Sequence, residues 1–212
     1  MAPNLRAVHV GTGLPRARIL EAYKQLDLGM ICTIDHDTQN YNLLKLQPFS
    51  SFPSQVEVHL DGKFHCYAGC AMESIAPSKM PPFAAREVRL ESYCACCLAP
   101  VTVVARDGEI LSRSPAAVLI HVSTSPRDWN KTDIVCMCDS MNYVLDAEHA
   151  AALERKLCRR GVLFTLEQAQ RFVADTGKNR MWRYDWPPVA LDPERVIAGI
   201  RALGVDVSSW GG

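Results

Sequence analysis

Nine cysteines stand in this chain of 212 residues, and seven of them fall in three short clusters, Cys66/Cys70, Cys94/Cys96/Cys97 and Cys136/Cys138. Cys32 and Cys158 stand apart. The first residues lack the apolar core of an export signal, and an odd count leaves one thiol over, so a disulfide framework is a poor account of them. Soft-metal binding or thiol chemistry is the better one.

In Tyr67-Ala68-Gly69-Cys70-Ala71-Met72-Glu73 the apolar run Ala68–Ala76 follows a strand pattern and ends at Pro77. This places Cys70 on the first turn of a short helix. A helix start favours the thiolate, and Glu73, three residues on, shares that face, so a nucleophile and an acid occupy one small space. The same residues would equally serve as a buried small side chain and a solvated helix position. The segment Asp133–Tyr143 reads as a strand running into a loop or helix start, with Cys138 carried at the strand's end. Period-two geometry sets Cys136 on the same face, and a core-filling role is expected for it.

Cys94-Ala95-Cys96-Cys97 contains one C-x-x-C spacing with no second copy elsewhere. The tetrahedral zinc signal is therefore incomplete, and a structural zinc or an iron–sulfur cluster drawn from several of the cysteine groups stands as an alternative. His65, His121 and His149 have no Ser or Asp partner at a recognised catalytic spacing, and structural roles are expected for them.

The elements that must position these groups read as follows. Pro15–Leu28 carries Ile19, Leu20, Tyr23 and Leu26 at helical spacing with Gly29 as a stop, so one amphipathic helix opens the chain. Gln55–Leu60 and Lys63–Tyr67 flank an Asp61-Gly62 turn and form a hairpin. Strands are expected at Glu87–Tyr93, Val101–Ala105, Ile110–Arg113, Val118–Val122 and Ile134–Met137. Asp146 caps a helix over Ala147–Arg160 with Gly161 beyond it, Thr165-x-x-Gln168 is a capping box, and Asp192-Pro193 opens a last helix to about Leu203. The expected fold is α+β: a central, largely antiparallel sheet with helices against it.

Lys and Arg total 23, as do Asp and Glu, so no long-range field draws nucleic acid, an anionic membrane or a strongly acidic substrate. No apolar run approaches the ~18 residues of a spanning helix. A cytoplasmic protein with neither a nucleic acid nor a membrane as partner is expected.

The run Phe64-His65-Cys66-Tyr67-Ala68-Gly69-Cys70-Ala71-Met72-Glu73 is followed by Ser92-Tyr93-Cys94 with Ala99-Pro100-Val101. After these comes Asp133-Ile134-Val135-Cys136-Met137-Cys138, leading to Glu148-His149. In order and interval these blocks resemble the alkylmercury lyase (organomercurial lyase) family over roughly residues 55–180. The resemblance implies cleavage of carbon–mercury bonds by two cysteines and a carboxylate. It places the family's two catalytic cysteines on Cys70 and Cys138, its aspartate on Glu73, and a structural cysteine on Cys94. It implies no required cofactor. Hg(II) would be the bound product between Cys70 and Cys138, a small organomercurial the substrate, and cellular thiols or a mercuric reductase the acceptor of the metal.

The same resemblance implies an N-terminal winged-helix-like region, shortened here to 1–60, then a catalytic domain over 61–181 and a C-terminal extension over 182–212. Two other readings stay open on the residues themselves. One is a non-catalytic protein that sequesters mercury, copper or zinc; the other is an enzyme of different substrate that uses Cys70 as a nucleophile.

Overall fold

The computed structural model describes residues 4–28, 31–35, 41–129, 134–177 and 192–211. Alternating apolar and polar residues fold its middle into one large sheet. Strands β1 (Cys32–Ile34), β2 (Leu43–Leu46), β3 (Phe49–Ser50), β4 (Glu57–Leu60), β5 (Lys63–Ala68), β6 (Val88–Tyr93), β7 (Pro100–Arg106) and β8 (Glu109–Ser114) lie in the order β1-β2-β3-β5-β4-β6-β7-β8. Every neighbouring pair is antiparallel. Asp61 and Gly62 have φ of 50° and 78°, and Asp107 and Gly108 have 50° and 76°. Two consecutive positive φ values are what a tight two-residue hairpin needs to match strand twist. Val58, Leu60, Val88, Leu90, Val101 and Val103 are buried, while Glu57, His59, Arg89 and Glu91 alternate with them on the half-exposed side.

A second antiparallel sheet is built from β9 (Leu119–Val122), β10 (Met141–Val144) and β11 (Val162–Thr165), in the order β10-β9-β11. Its Ile120, Val122, Tyr143 and Phe164 share one apolar core with Val58, Leu90 and Val103 of the large sheet. Helices cover the two. Helices α1 (Leu5–Thr12) and α2 (Arg16–Leu28) build a smaller core from Leu5, Ile19 and Tyr23 against Cys32, Ile34 and Leu43. Beyond β9 come α3 (Pro126–Trp129) and α4 (Ile134–Asp139), then α5 (Ala147–Leu157), α6 (Leu166–Gly177) and α7 (Pro193–Ala202). The α+β class and the antiparallel sheet flanked by helices are as expected from the sequence.

The caps read from sequence are present. Thr165 N donates to Gln168 Oε1 at 2.9 Å and Gln168 N donates to Thr165 Oγ1 at 3.2 Å, a reciprocal capping box. Asp146 accepts from His149 N, and Asp192 accepts from Glu194 N and Arg195 N.

Four expectations are corrected. The chain opens with two helices, because Asn4 caps α1 by accepting from Ala7 N and Gly13 closes it in the left-handed conformation. Cys70 lies in a bend rather than on a helical turn, and a 3-10 helix starts only at Glu73 and runs to Lys79. Ile134–Met137 is helical, so Cys138 sits near the end of α4 and not at a strand end. Helix α5 ends at Leu157 with Cys158 as its left-handed cap, short of Gly161.

The turn at Asp61-Gly62 falls inside the large sheet, which continues on both sides of position 60. Of the C-terminal segment, Ile197, Ile200, Val205, Val207 and Trp210 enter the main core. Trp182 and Trp186 lie outside the described residues.

Candidate active site

The site forms where the two sheets meet. Strand β5 leaves the large sheet at Ala68; Gly69 N then donates to Pro48 O at 2.7 Å and Ala71 N donates to Met141 O at 3.2 Å, so the Gly69–Ala71 bend bridges from one sheet toward β10 of the other. Helix α4 delivers Cys138 to the same place. Cys70, Glu73 and Cys138 are all buried, and one ligand atom from each lies within 4.8 Å of the others. The three residues singled out from the sequence are thus brought together across 68 positions of chain, from Cys70 to Cys138.

The contacts within the triad are directional. The Cys138 thiol donates to Glu73 Oε2 at 3.6 Å, and Glu73 N donates to Cys70 Sγ at 3.4 Å. Cys70 Sγ also lies 3.7 Å from Met141 Sδ. Burial pushes the Glu73 carboxyl up to about 7, opposed by the charge of Lys45 and by hydrogen bonds from Cys138 and Cys70. The Cys138 thiol is held well above its ordinary range, first by its hydrogen bond with Cys70, then by burial and by the negative charge of Glu73. The resting arrangement is therefore a protonated Cys138 thiol beside a carboxyl poised near neutrality, a proton acceptor within reach of that thiol and dry enough to return the proton to carbon.

A glycine makes room for the acid. A Cβ at position 69 would overlap Glu73 Oε2 and stand 3.3 Å from its Cδ. Behind the site Ser74 gives its one hydroxyl proton to Ala71 O at 2.7 Å, so the fully buried Tyr143 donates to Ser74 Oγ at 2.8 Å. Burial holds the Tyr143 phenol above its ordinary value, with the Ser74 hydrogen bond opposing and nearby Cys70 adding.

Sequence reading missed Lys45. It lies on β2 with 1 % of its surface exposed, donating from Nζ to Gly69 O at 3.1 Å and to Asp139 Oδ1 at 3.3 Å. The one available signal was its place in Leu43-Leu44-Lys45-Leu46, where it is in phase with the buried Leu43.

Among the described residues the other cysteines stand apart from the triad. Cys94 is buried with Val144, Ala150 and Leu153. Cys66 is half-buried and pushed up to about 11 by burial. Cys96 is half-buried and Cys97 exposed. Among the described residues the only other group with metal-ligand spacing is Glu57, His59 and Glu91 on the large sheet, so no zinc or iron–sulfur set arises from Cys94, Cys96 and Cys97 there. Cys136 lies within helix α4 rather than on the expected strand. The Cys136 side chain lies outside the described residues. His121 is wholly buried against Glu154, His149 is bonded to its own cap Asp146, and His65 packs edge-on to Phe83.

Residues 49–177, which hold Cys70, Glu73 and Cys138, match the family model MerB, alkylmercury lyase. The chain belongs to the alkylmercury lyase family. By that membership it is a carbon–mercury lyase. Among solved structures it is similar to the mercury-bound form of MerB2, at 21% identity, with a TM-score of 0.67 over 84% of this chain and 82% of that one. At that identity the likeness speaks to the fold. No curated protein shows significant sequence similarity to the chain.

Proposed function

We propose that this lyase cleaves an organomercurial, R–Hg–X, by protonolysis with Cys70 and Cys138 as the mercury ligands and Glu73 as the proton carrier. The supporting observation is the buried triad, with one atom from each residue inside a 4.8 Å set. Mercury is soft and binds thiolate sulfur in preference to oxygen or nitrogen donors. One thiol exchanges for X and releases HX. The second thiol passes its proton to the Glu73 carboxylate, and its sulfur bonds to mercury. Two sulfur ligands push electron density onto carbon, the Glu73 carboxyl delivers the proton there, and the C–Hg bond breaks. The sum is R–Hg–X plus two S–H giving R–H, HX and mercury held as S–Hg–S, with the carboxylate regenerated.

No cofactor enters this sequence, since the carboxyl handles the proton and the substrate supplies the metal. Departure of Hg(II) takes place by exchange onto other thiols, either small cellular thiols or those of a mercuric reductase. No helix among the described residues is long and apolar enough to cross a membrane. The reduced thiols that the mechanism needs fit the cytoplasm.

The test is incubation of the purified protein with phenylmercury and excess thiol while benzene is measured. Benzene formation that disappears in Cys70→Ser and in Cys138→Ser is the expected result. Equal benzene from those variants and wild type would remove the roles assigned to the two sulfurs.

A further inference from the structure

Lys45 Nζ ties together the two segments that carry the thiols. Its acceptor Gly69 O belongs to the residue before Cys70, and its acceptor Asp139 Oδ1 to the residue after Cys138. A strand far from both in sequence thus holds the backbone of one and the side chain beside the other through a single ammonium, which also lies 5.7 Å from the centre of the Phe52 ring. Asp139 is 69% exposed, so the ion pair is a poor compensation for taking a lysine out of water. An apolar residue in phase with Leu43 would fill the same space without a charge to bury. The arrangement makes sense as one that serves the site.

Charge bookkeeping, which rests on the protonolysis sequence above, gives the same answer. In that sequence the negative charge starts on the Glu73 carboxylate. That charge moves to the second sulfur when its proton goes to Glu73, then to the mercury–carbon unit, and returns to the carboxylate when carbon is protonated. It never leaves the pocket, and Lys45 is a cation whose field reaches both Glu73 and Cys138.

We propose that Lys45 is a positioning residue for carbon–mercury cleavage, clamping the Gly69–Cys70 and Cys138–Asp139 segments at the separation a two-sulfur mercury complex requires while its fixed positive charge balances the travelling negative one. A lysine that served the fold alone would affect stability and leave the chemistry per folded molecule unchanged.

The experiment measures kcat and KM for benzene release from phenylmercury, and retention of Hg(II) against excess monothiol, in wild type, Lys45→Met, Lys45→Arg and Asp139→Asn. Lys45→Met is expected to lose roughly tenfold or more in kcat, with a smaller change in KM, and to surrender Hg(II) faster because the two sulfurs no longer grip together. Lys45→Arg, which keeps the charge and can reach both acceptors, recovers part of both properties. Asp139→Asn loses less than Lys45→Met, because the Gly69 leg and the charge remain.

Wild-type kcat and retention in folded Lys45→Met overturn the proposal. Should that variant fail to fold, the exposed Asp139→Asn decides, and wild-type values for both readouts there overturn the clamp. Benzene from wild type and its loss in Cys70→Ser are measured alongside. Their failure would count against the cysteine mechanism itself, whereas their success with an indifferent Lys45 counts against the clamp alone.

Discussion

Gly69 has no room for a side chain because the carboxylate of Glu73 occupies the place a Cβ would take. The two residues are therefore coupled. Gly69→Ala is expected to displace the acid and lower kcat by as much as a hundredfold, the scale of a misplacement of about 1 Å. In Glu73→Asp, which withdraws the carboxyl by about one C–C bond, ~1.5 Å, turnover persists and the added methyl at 69 costs little. The double-mutant cycle on benzene release checks this. Losses that simply add would show that the two positions act independently.

The carboxyl of Glu73, pushed up to about 7 by burial, must be ionised to take a proton from a thiol. Cleavage should therefore rise with pH through about 7 and level off above it, with the limb absent in Glu73→Gln if any residual rate is measurable. Stability runs the other way. A carboxyl whose folded pKa is raised contributes stability that is full below about 4.5, its unfolded value, and is lost as pH climbs through about 7. The loss is on the order of 3 kcal/mol. Urea denaturation of wild type and Glu73→Gln at pH 5 and pH 8 tests it: the variant should be the less pH-sensitive, and parallel profiles would contradict a buried, titrating Glu73.

Cys94 should separate from the reacting pair. It packs in the apolar cluster with Val144, Ala150 and Leu153. Cys94→Ser, placing a hydroxyl in that cluster, is expected to lower stability by about 1–3 kcal/mol while turnover per folded molecule persists. Thermal melts together with benzene assays decide it, and a folded but inactive Cys94→Ser would give this sulfur a chemical role.

The last residues act as core. Arg127 donates from Nε and Nη2 to the two carboxylate oxygens of Glu194 at 2.6 and 3.1 Å, and from Nη1 to Trp210 O at 2.5 Å, while Ile197, Ile200 and Trp210 fill the main cluster. Removing residues 192–212 should leave an unstable chain that binds hydrophobic dyes, and Trp210→Ala alone should cost about 3–5 kcal/mol. Unchanged melting after the truncation would show the segment to be an appendage.

Cys70, Glu73 and Cys138, which the structure brings together, were legible as candidates because Cys70 and Glu73 sit in one short run and because three ordered blocks resembled a known family. Their local structure was less so. Ile134–Met137 is a short apolar run rich in β-branched residues, a pattern that cannot by itself separate strand from helix, and it folds as helix. Cys70 was expected on a helix, but the chain must first bend at Gly69 to bond Pro48 O and Met141 O. Helix α1 carried its signals, Asn4 and Gly13, but its buried stripe is short, Leu5 with Val8 packed beside it. Strands β10 and β11 are four residues each and follow no turn motif. Lys45 was hidden for a different reason: a lone lysine between leucines ordinarily turns outward, and only the approach of the Gly69 and Asp139 segments reveals a cation sealed between them.

Burial keeps hydrogen on Cys32 and Cys66, and a hydrogen bond with Cys70 together with burial keeps it on Cys138. Cys32 is pushed up to about 12, Cys66 to about 11, and Cys138 well above its ordinary range. Stray oxidants and electrophiles attack naked sulfur anions far faster than capped ones, so these three sulfurs stay quiet while idle. In the proposed mechanism, a guest drawn in beside Glu73 meets the base that uncaps Cys138, and reactivity is switched on by the visitor's arrival.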